Sequence, residues 1–139
     1  MRVVFDTNVF VSAFVLPKSR ADAALKRIID GDDQLIISKP IIDELLTVLS
    51  RKFARDVDQL SRVAVFLSDL AELVSPRARI DVLQDDADNR VLECARTGKA
   101  DAIVTGDKSM LDLGIYRNIR IVSLKHYLER DGLPPTSDP

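Results

Sequence analysis

The sequence RVVFD at residues 2–6 joins a short apolar run to an acidic residue. Such a run, without alternating polar residues, predicts a strand that is buried on both faces. Similar runs occur at residues 35–37 (LII), 102–105 (AIVT) and 120–122 (RIV), and the segments between them have helical spacing. Short buried strands that alternate with helices predict an α/β fold with a mainly parallel central sheet covered on both faces.

Capping residues and apolar spacing predict the elements that connect these strands. Ser19, Ser38 and Asp56 each stand where a helix N-cap is expected. The predicted helices span residues 9–15, 21–29, 39–52, 57–74, 88–97 and 124–130, and a further short strand spans residues 79–83. The 139-residue length predicts a single domain over residues 1–132, followed by a disordered tail at residues 133–139.

The composition excludes several kinds of active site. Cys94 is the only cysteine and His126 the only histidine, so the chain cannot form a zinc site of several histidines and cysteines. A Ser-His-Asp or Cys-His device would have to use His126, for which a structural or surface role is the alternative. If the protein is an enzyme, its chemistry is therefore expected from carboxylates.

Location and charge give weaker information. The N-terminus does not have the pattern of a signal peptide, and no apolar run approaches the roughly eighteen residues that cross a bilayer, so a cytoplasmic protein is expected. The formal net charge of −2 does not by itself favour a nucleic acid partner. It does not exclude one either, because bound metal ions would reverse the sign of an acidic pocket.

Two acids directly follow predicted strands. Asp6 ends the first run, and Asp107 follows Thr105 and Gly106 at the end of another. Ligands of parallel α/β sheets gather beyond the carboxyl ends of the strands, where these two side chains are expected. The alternatives are a helix cap for Asp6 and ordinary turn chemistry for Asp107.

Two further acids occupy unusual positions on predicted helices. On a helical wheel, Glu44 lies at the margin of the apolar face, whereas Asp43 points towards solvent. Asp88 lies within the buried face of its own helix, where a carboxylate needs a cation, a metal or backbone N–H groups. The alternatives are a boundary glutamate for Glu44 and, for Asp88, a capping box with Asp85.

Together these four acids predict a metal centre. Carboxylates that lie close together repel one another unless a cation neutralises them. Mg²⁺ and Mn²⁺ prefer oxygen ligands of this kind. Such a centre can activate water and stabilise the charge that develops during phosphodiester cleavage.

The sequence resembles the PIN-domain family, in particular its bacterial toxin-like members of the VapC kind. The matching pieces are VFDTNV at residues 4–9, IISKPIIDEL at residues 36–45, DDADNRVLECA at residues 85–95 and ADAIVTGDK at residues 100–108. They occur in the order of the family and span nearly the whole chain. The resemblance implies a three-layer α/β/α sandwich and a metal-dependent endoribonuclease that uses one or two Mg²⁺ or Mn²⁺ ions.

The resemblance also implies roles for individual residues. Asp6, Glu44 and Asp88 correspond to the core metal ligands, and Asp107 to a fourth acid that often acts through water. Asn8 and Thr105 would be supporting groups. The motif DDADN leaves open whether a neighbour substitutes for Asp88, although both the resemblance and the helical wheel favour Asp88.

Partners follow from the same resemblance, since toxin-like members pair with a small antitoxin protein and often dimerise. Phe66 and Leu73 widen the apolar stripe of the long predicted helix, which fits either a homodimer contact or burial within the monomer. Arg51, Lys52 and Arg55 cluster near one helix end and are candidates for binding RNA phosphates. The alternative for these three is a solvated surface.

Two other protein families and one other function are the alternatives to this interpretation. A haloacid-dehalogenase-like phosphatase needs a second Asp two residues after the first, where this chain has Asn8. A receiver domain needs an adjacent acidic pair at the first strand, where this chain has Phe5 and Asp6. A PIN fold that binds RNA or protein without cleaving it remains an alternative, because intact acids do not exclude it.

Overall fold

The computed structural model describes residues 1–129, which form a six-stranded sheet and seven helices. The predicted tail, residues 133–139, lies outside the described part of the chain. The strands are β1 (Arg2–Phe5), β2 (Gln34–Ser38), β3 (Glu72–Val74), β4 (Ala102–Val104), β5 (Ile115–Tyr116) and β6 (Ile119–Val122). The helices are α1 (Thr7–Val15), α2 (Arg20–Ile29), α3 (Lys39–Phe53), α4 (Val57–Leu70), α5 (Asp86–Thr97), α6 (Lys108–Leu113) and α7 (Leu124–Leu128).

The sheet has the order β3-β2-β1-β4-β6-β5, and every pair is parallel except β5 with β6. Consecutive residues of β1, β2 and β4 are buried. Because successive side chains of a strand point to opposite faces, both faces of the sheet centre are covered. The predicted α/β class with a mainly parallel sheet is confirmed.

The core lies where these strands meet α1, α3 and α5. Phe5 packs against Phe10 and Tyr127, with ring centroids 5.5 and 5.8 Å apart. Arg2 binds the far end of α5, since its Nε and Nη2 donate to the Gly98 carbonyl at 3.0 and 2.7 Å. These contacts fix the direction of α5 relative to β1, which matters because both elements carry predicted site residues.

The prediction of a helix to Val74 is wrong. Helix α4 ends at Leu70, Ala71 is extended, and residues 72–74 form the edge strand β3 beside β2. Alternate and helical spacing both fit this short apolar stretch. The pairing of β3 with β2 satisfies backbone groups of β2 that would lack a strand partner if residues 72–74 continued the helix.

Two other local predictions differ from the structure. Residues 79–83 are not a strand but an irregular segment. Ser38 occupies the N-cap position of α3, yet its buried hydroxyl makes no capping hydrogen bond. Helix α6 and strand β5 are short elements that were not predicted. None of the helices within residues 1–129 has the length and apolar character needed to cross a membrane.

Candidate metal centre

The register of the sheet brings Asp6 and Thr105 together. Phe5 pairs with Val104 across β1 and β4, so the next residues of both strands are neighbours at the carboxyl edge. The Asp6 amide donates to the Val104 carbonyl at 3.0 Å. The Thr105 hydroxyl donates to Asp6 Oδ2 at 2.7 Å, and both side chains are buried. Asp6 is therefore held in place by a residue that lies 99 positions away in the sequence.

Asp6 also begins α1, but its side chain makes no capping hydrogen bond of standard geometry. Burial raises the pKa of its carboxyl, the Thr105 hydroxyl and the amides of Asn8 and Thr7 lower it, and the charge of Asp107 raises it. Burial is the largest of these causes. The carboxylate therefore lies in an environment that resists its negative charge.

Asp107 is connected to the same hydroxyl. Its amide donates to Thr105 Oγ1 at 3.0 Å, and its Oδ1 accepts from the Ser109 amide at 2.9 Å as the N-cap of α6. The turn chemistry considered as an alternative is thus present at this residue. Gly106 does not adopt a positive φ, so a glycine is not needed to present Asp107.

Glu44 approaches the site from α3. The side chain is half-buried while Asp43 is exposed, as the helical wheel predicted. Burial raises the pKa of Glu44, and the charges of Asp85 and Asp6 raise it further. Glu44 therefore lies within electrostatic reach of two other acids.

Asp88 is the least satisfied acid of the group. Only 5% of the residue is exposed, and Oδ2 is buried without a hydrogen-bond partner among the described residues. Its pKa is raised to about 8. Burial is the largest cause, and a hydrogen-bonding contact with Asp107 and the charges of Asp107, Asp6 and Asp85 raise the pKa further. The helix is capped instead by Asp85, whose Oδ1 accepts from the Ala87 amide at 2.9 Å.

The structure thus brings Asp6, Glu44, Asp88 and Asp107 into one electrostatically coupled group. Of the predicted supporting residues, Thr105 bridges two of these acids, whereas Asn8 is exposed and affects Asp6 through its backbone amide. Asp85 was not among the predicted site residues, although it raises the pKa of both Glu44 and Asp88. Its position in the acidic run DDAD was the signal that could have identified it.

Whether these residues suit a metal ion can be judged from two observations. No three acidic, imidazole or thiol groups within residues 1–129 converge closely enough to form a ready-made metal site. The buried and unpaired Oδ2 of Asp88, however, needs a cation or a donor that the described residues do not supply. Oxygen ligands of mutually repelling carboxylates fit Mg²⁺ or Mn²⁺, which would lower this repulsion on binding.

The predicted phosphate-binding residues lie at the far end of α3. Arg51 and Lys52 are exposed in its last turn, and half-buried Arg55 donates to the Phe14 carbonyl at 3.3 Å. Arg55 therefore has a structural contact, while the other two face solvent.

Comparisons with known proteins agree with this architecture. The PIN-domain family matches residues 2–109. An uncharacterized protein of Methanocaldococcus jannaschii is 28% identical over 117 residues, which cover 81% of this chain and 75% of that protein.

Two solved structures are similar in fold. VapBC2 from Rickettsia felis, bound to a DNA fragment from its promoter, has a TM-score of 0.65 at 17% identity over 88% of this chain and 98% of that chain. VapBC-1 from nontypeable Haemophilus influenzae has a TM-score of 0.61 at 15% identity, covering 90% of this chain and 99% of that chain. The match of the family over most of the chain, together with the sheet and the acids at its carboxyl edge, makes this protein a member of the PIN-domain family.

Proposed function

We propose that this protein is a metal-dependent endoribonuclease and the toxin of a toxin–antitoxin pair. The observation that carries the proposal is the buried Oδ2 of Asp88, which has no hydrogen-bond partner among the described residues although the charges of Asp107, Asp6 and Asp85 all act on this carboxyl. A structural role does not account for this group, because burying carboxylates beside one another lowers stability.

Each residue has a distinct part in this proposal. Asp6, Glu44 and Asp88 would hold the ion, and Asp107 would complete its surroundings. Thr105 orients Asp6 and Asp107, because one hydroxyl binds both at 2.7 and 3.0 Å. When bound, Mg²⁺ or Mn²⁺ supplies Lewis-acid activation of water and stabilises the charge on a phosphodiester undergoing attack.

We propose RNA as the substrate and the cytoplasm as the location of the activity. Arg51 and Lys52 lie seven and eight residues after Glu44 on α3, which is about 10–12 Å along a helix. At that spacing their side chains can bind phosphates of a strand whose scissile bond lies at the acids. Their contribution would be to affinity and not to the chemical step.

The proposed protein partners are a small antitoxin and a second copy of this chain. The two solved VapBC structures that share this fold motivate the first. The exposed apolar side chains of Val65 and Leu73, at 60% and 55% exposure, motivate the second. Phe66 contributes less to such a surface, since it packs edge-on against Phe14 with ring centroids 6.1 Å apart.

A PIN-fold module that binds RNA or protein without cleavage is the alternative. The observation in its favour is that no ready-made set of three metal ligands exists within residues 1–129. The two functions differ in whether divalent metal and Asp6 are required for turnover.

The test is cleavage of a mixed, structured RNA pool by the purified protein in Mn²⁺, Mg²⁺ or EDTA. We expect cleavage in at least one of the two metals, none in EDTA, and a loss in Asp6→Asn of about a hundredfold or more, as when a major electrostatic contributor is removed. Asp43→Asn is the matched control, because Asp43 is exposed, adjacent to Glu44 on the same helix, and paired only with Lys39 among the basic residues described, at 2.7 Å.

The outcomes separate the two functions. Metal-dependent cleavage that Asp43→Asn retains and Asp6→Asn loses would support the nuclease. Cleavage that persists in EDTA, or that Asp6→Asn retains at the wild-type rate, would contradict the proposal. RNA binding without metal-dependent turnover would favour the non-catalytic module.

A further inference from the structure

Helix α5 holds the irregular segment that precedes it, which we call the anchored segment (residues 80–83). Asn89 binds its second half. Asn89 Oδ1 accepts from the amides of Val82 and Leu83 at 3.1 and 2.8 Å, while Nδ2 donates to the Leu83 carbonyl at 2.8 Å. One fully buried side chain therefore satisfies three backbone groups that no strand neighbour pairs.

A second contact holds the first half of the anchored segment. Glu93 Oε2 accepts from the Ile80 amide at 2.8 Å, and its Oε1 forms an ion pair with Arg90 Nε at 2.9 Å. Arg90 Nη2 donates to the Ile80 carbonyl at 3.1 Å. The anchored segment is thus fixed at two points, one turn of α5 apart.

The two points differ in their distance from the acids. Leu83 is two residues before Asp85, the N-cap of α5, and Asn89 is adjacent to Asp88. Ile80 lies farther before Asp85 than Leu83 does, and Glu93 lies farther after Asp88 than Asn89 does. A shift of Leu83 would displace Asp85 and the first turn of α5, whereas a shift of Ile80 can be absorbed by the residues between.

We propose that Asn89 is a positioning residue of the metal centre. It fixes the direction from which the chain enters α5, and with it the positions of the Asp85 and Asp88 carboxylates relative to Glu44 and Asp6. This inference rests on the proposed metal-dependent function and adds a residue that touches neither the ion nor the substrate.

The first test compares Asn89→Ala with Glu93→Gln, which weakens the other anchor and leaves the side-chain size unchanged. Mn²⁺ binding is measured by calorimetry at a temperature where thermal unfolding curves show all three proteins fully folded. We expect Asn89→Ala to weaken Mn²⁺ binding by about 10–100-fold, the range for residues that support metal ligands. We expect Glu93→Gln to stay within about threefold of the wild-type protein, because its anchor does not border the acids.

The second test needs no substitution. The coupling between two events is reciprocal. If the Asn89 anchor strengthens Mn²⁺ binding, Mn²⁺ binding must also stabilise the anchor. Hydrogen exchange is measured on the wild-type protein with and without Mn²⁺. The Val82 and Leu83 amides should exchange more slowly when Mn²⁺ is bound. The Ile80 amide, held by Glu93, should change less.

The results distinguish this inference from the proposed function. Equal Mn²⁺ affinity in Asn89→Ala and the wild-type protein would overturn the positioning role alone, as would equal weakening in both variants. Unchanged exchange at Leu83 in the Mn²⁺-bound wild-type protein would overturn it even if Asn89→Ala did not fold. A wild-type protein that binds no Mn²⁺ would overturn both proposals.

Discussion

Asp6 and Asp88 show how two buried carboxylates of one site differ in their surroundings. Asp6 receives the Thr105 hydroxyl at 2.7 Å, and the nearby amides of Thr7 and Asn8 lower its pKa. Asp88 has an unpaired Oδ2, and burial with neighbouring acids raises its pKa to about 8. Asp6 is therefore held in place before any ion binds, while Asp88 is the acid that gains most from a cation.

Sequence reasoning reached part of this arrangement. The helical wheel placed Asp88 inward and Glu44 at a margin because burial follows helical spacing. It could not identify Thr105 as the bridge between Asp6 and Asp107, since that contact depends on the register of β1 with β4. The capping alternative for Asp88 was excluded only by the geometry of Asp85.

Asp88→Asn tests the electrostatic strain at this residue. In EDTA at pH 7 we expect a higher Tm than in the wild-type protein, by roughly 4 °C for each kcal/mol of the cost of burying Asp88 that the substitution removes. Mn²⁺ binding should weaken at the same time. Asp86→Asn is the control, because Asp86 lies in the same first turn with its side chain 76% exposed.

Thermal unfolding and calorimetry together decide this prediction. A lower Tm for Asp88→Asn with unaltered Mn²⁺ binding would mean that Asp88 is a structural residue of the helix start. An equal rise in Asp86→Asn would mean that general acidity at the helix start, and not the buried site, is responsible.

At the level of elements, the C-terminal end of α5 packs closely against β2. Gly98 ends α5 directly against Ile36 of β2, and its carbonyl binds Arg2 of β1. The predicted end of this helix at residue 97 is correct, but the close approach of Gly98 to β2 was not predicted. The predictions from periodicity were wrong at residues 72–74 and 79–83. Pairing with β2 determines the conformation of the first segment, and hydrogen bonds from α5 determine that of the second.

Gly98→Ala tests this contact. A Cβ at this position would overlap the Cγ2 methyl of Ile36 and lie 3.2 Å from the Cys94 carbonyl oxygen. We expect a loss of about 1–3 kcal/mol in the free energy of unfolding, measured in urea, because a buried core does not accept the extra methyl. Backbone strain does not contribute, since Gly98 has a φ of −80°.

Gly106→Ala is the matched control. An added Cβ there meets nothing within 4 Å, although the residue lies between Thr105 and Asp107. Its free energy of unfolding should stay within about 0.5 kcal/mol of the wild-type value. Equal destabilisation by both substitutions would contradict the role assigned to the α5–β2 contact.

At the scale of the whole molecule, the parallel sheet collects acids that are far apart in sequence. β1 and β4 are adjacent, so Asp6 and Asp107 meet at one edge, and α3 and α5 bring Glu44 and Asp88 to it. The rule that ligands gather at carboxyl ends of parallel strands predicted the positions of Asp6 and Asp107, and helical wheels selected Glu44 and Asp88. The net charge of −2 gave no sign of it, because 20 basic residues are distributed over the rest of the chain.

The grouping predicts how stability depends on pH. The pKa of Asp88 in the folded protein, about 8, lies above the value of about 3.9 expected when the chain is unfolded. The folded state therefore holds the proton more tightly, and stability is lost as pH rises from about 4 through 8. Asp6 and Glu44 shift in the same direction.

Thermal unfolding in EDTA from pH 5 to pH 9 checks this prediction, with the pH range set by these pKa values. The Tm of the wild-type protein should fall over this interval, and the Tm of Asp88→Asn should fall less. Saturating Mn²⁺ should reduce the fall in the wild-type protein. A Tm in EDTA that rises across the interval would mean that the acids are not buried together.

The metal centre is tested by a calorimetric titration of Mn²⁺ into the wild-type protein, Asp6→Asn and Asp43→Asn at pH 7.5, which lies between the ordinary carboxyl pKa and that of Asp88. We expect the wild-type protein to bind Mn²⁺ with release of a proton, since Asp88 is protonated in part at this pH. Asp6→Asn should bind at least about tenfold more weakly, and Asp43→Asn should bind like the wild-type protein. Equal affinity in Asp6→Asn, or no binding by the wild-type protein, would contradict a metal centre at these acids.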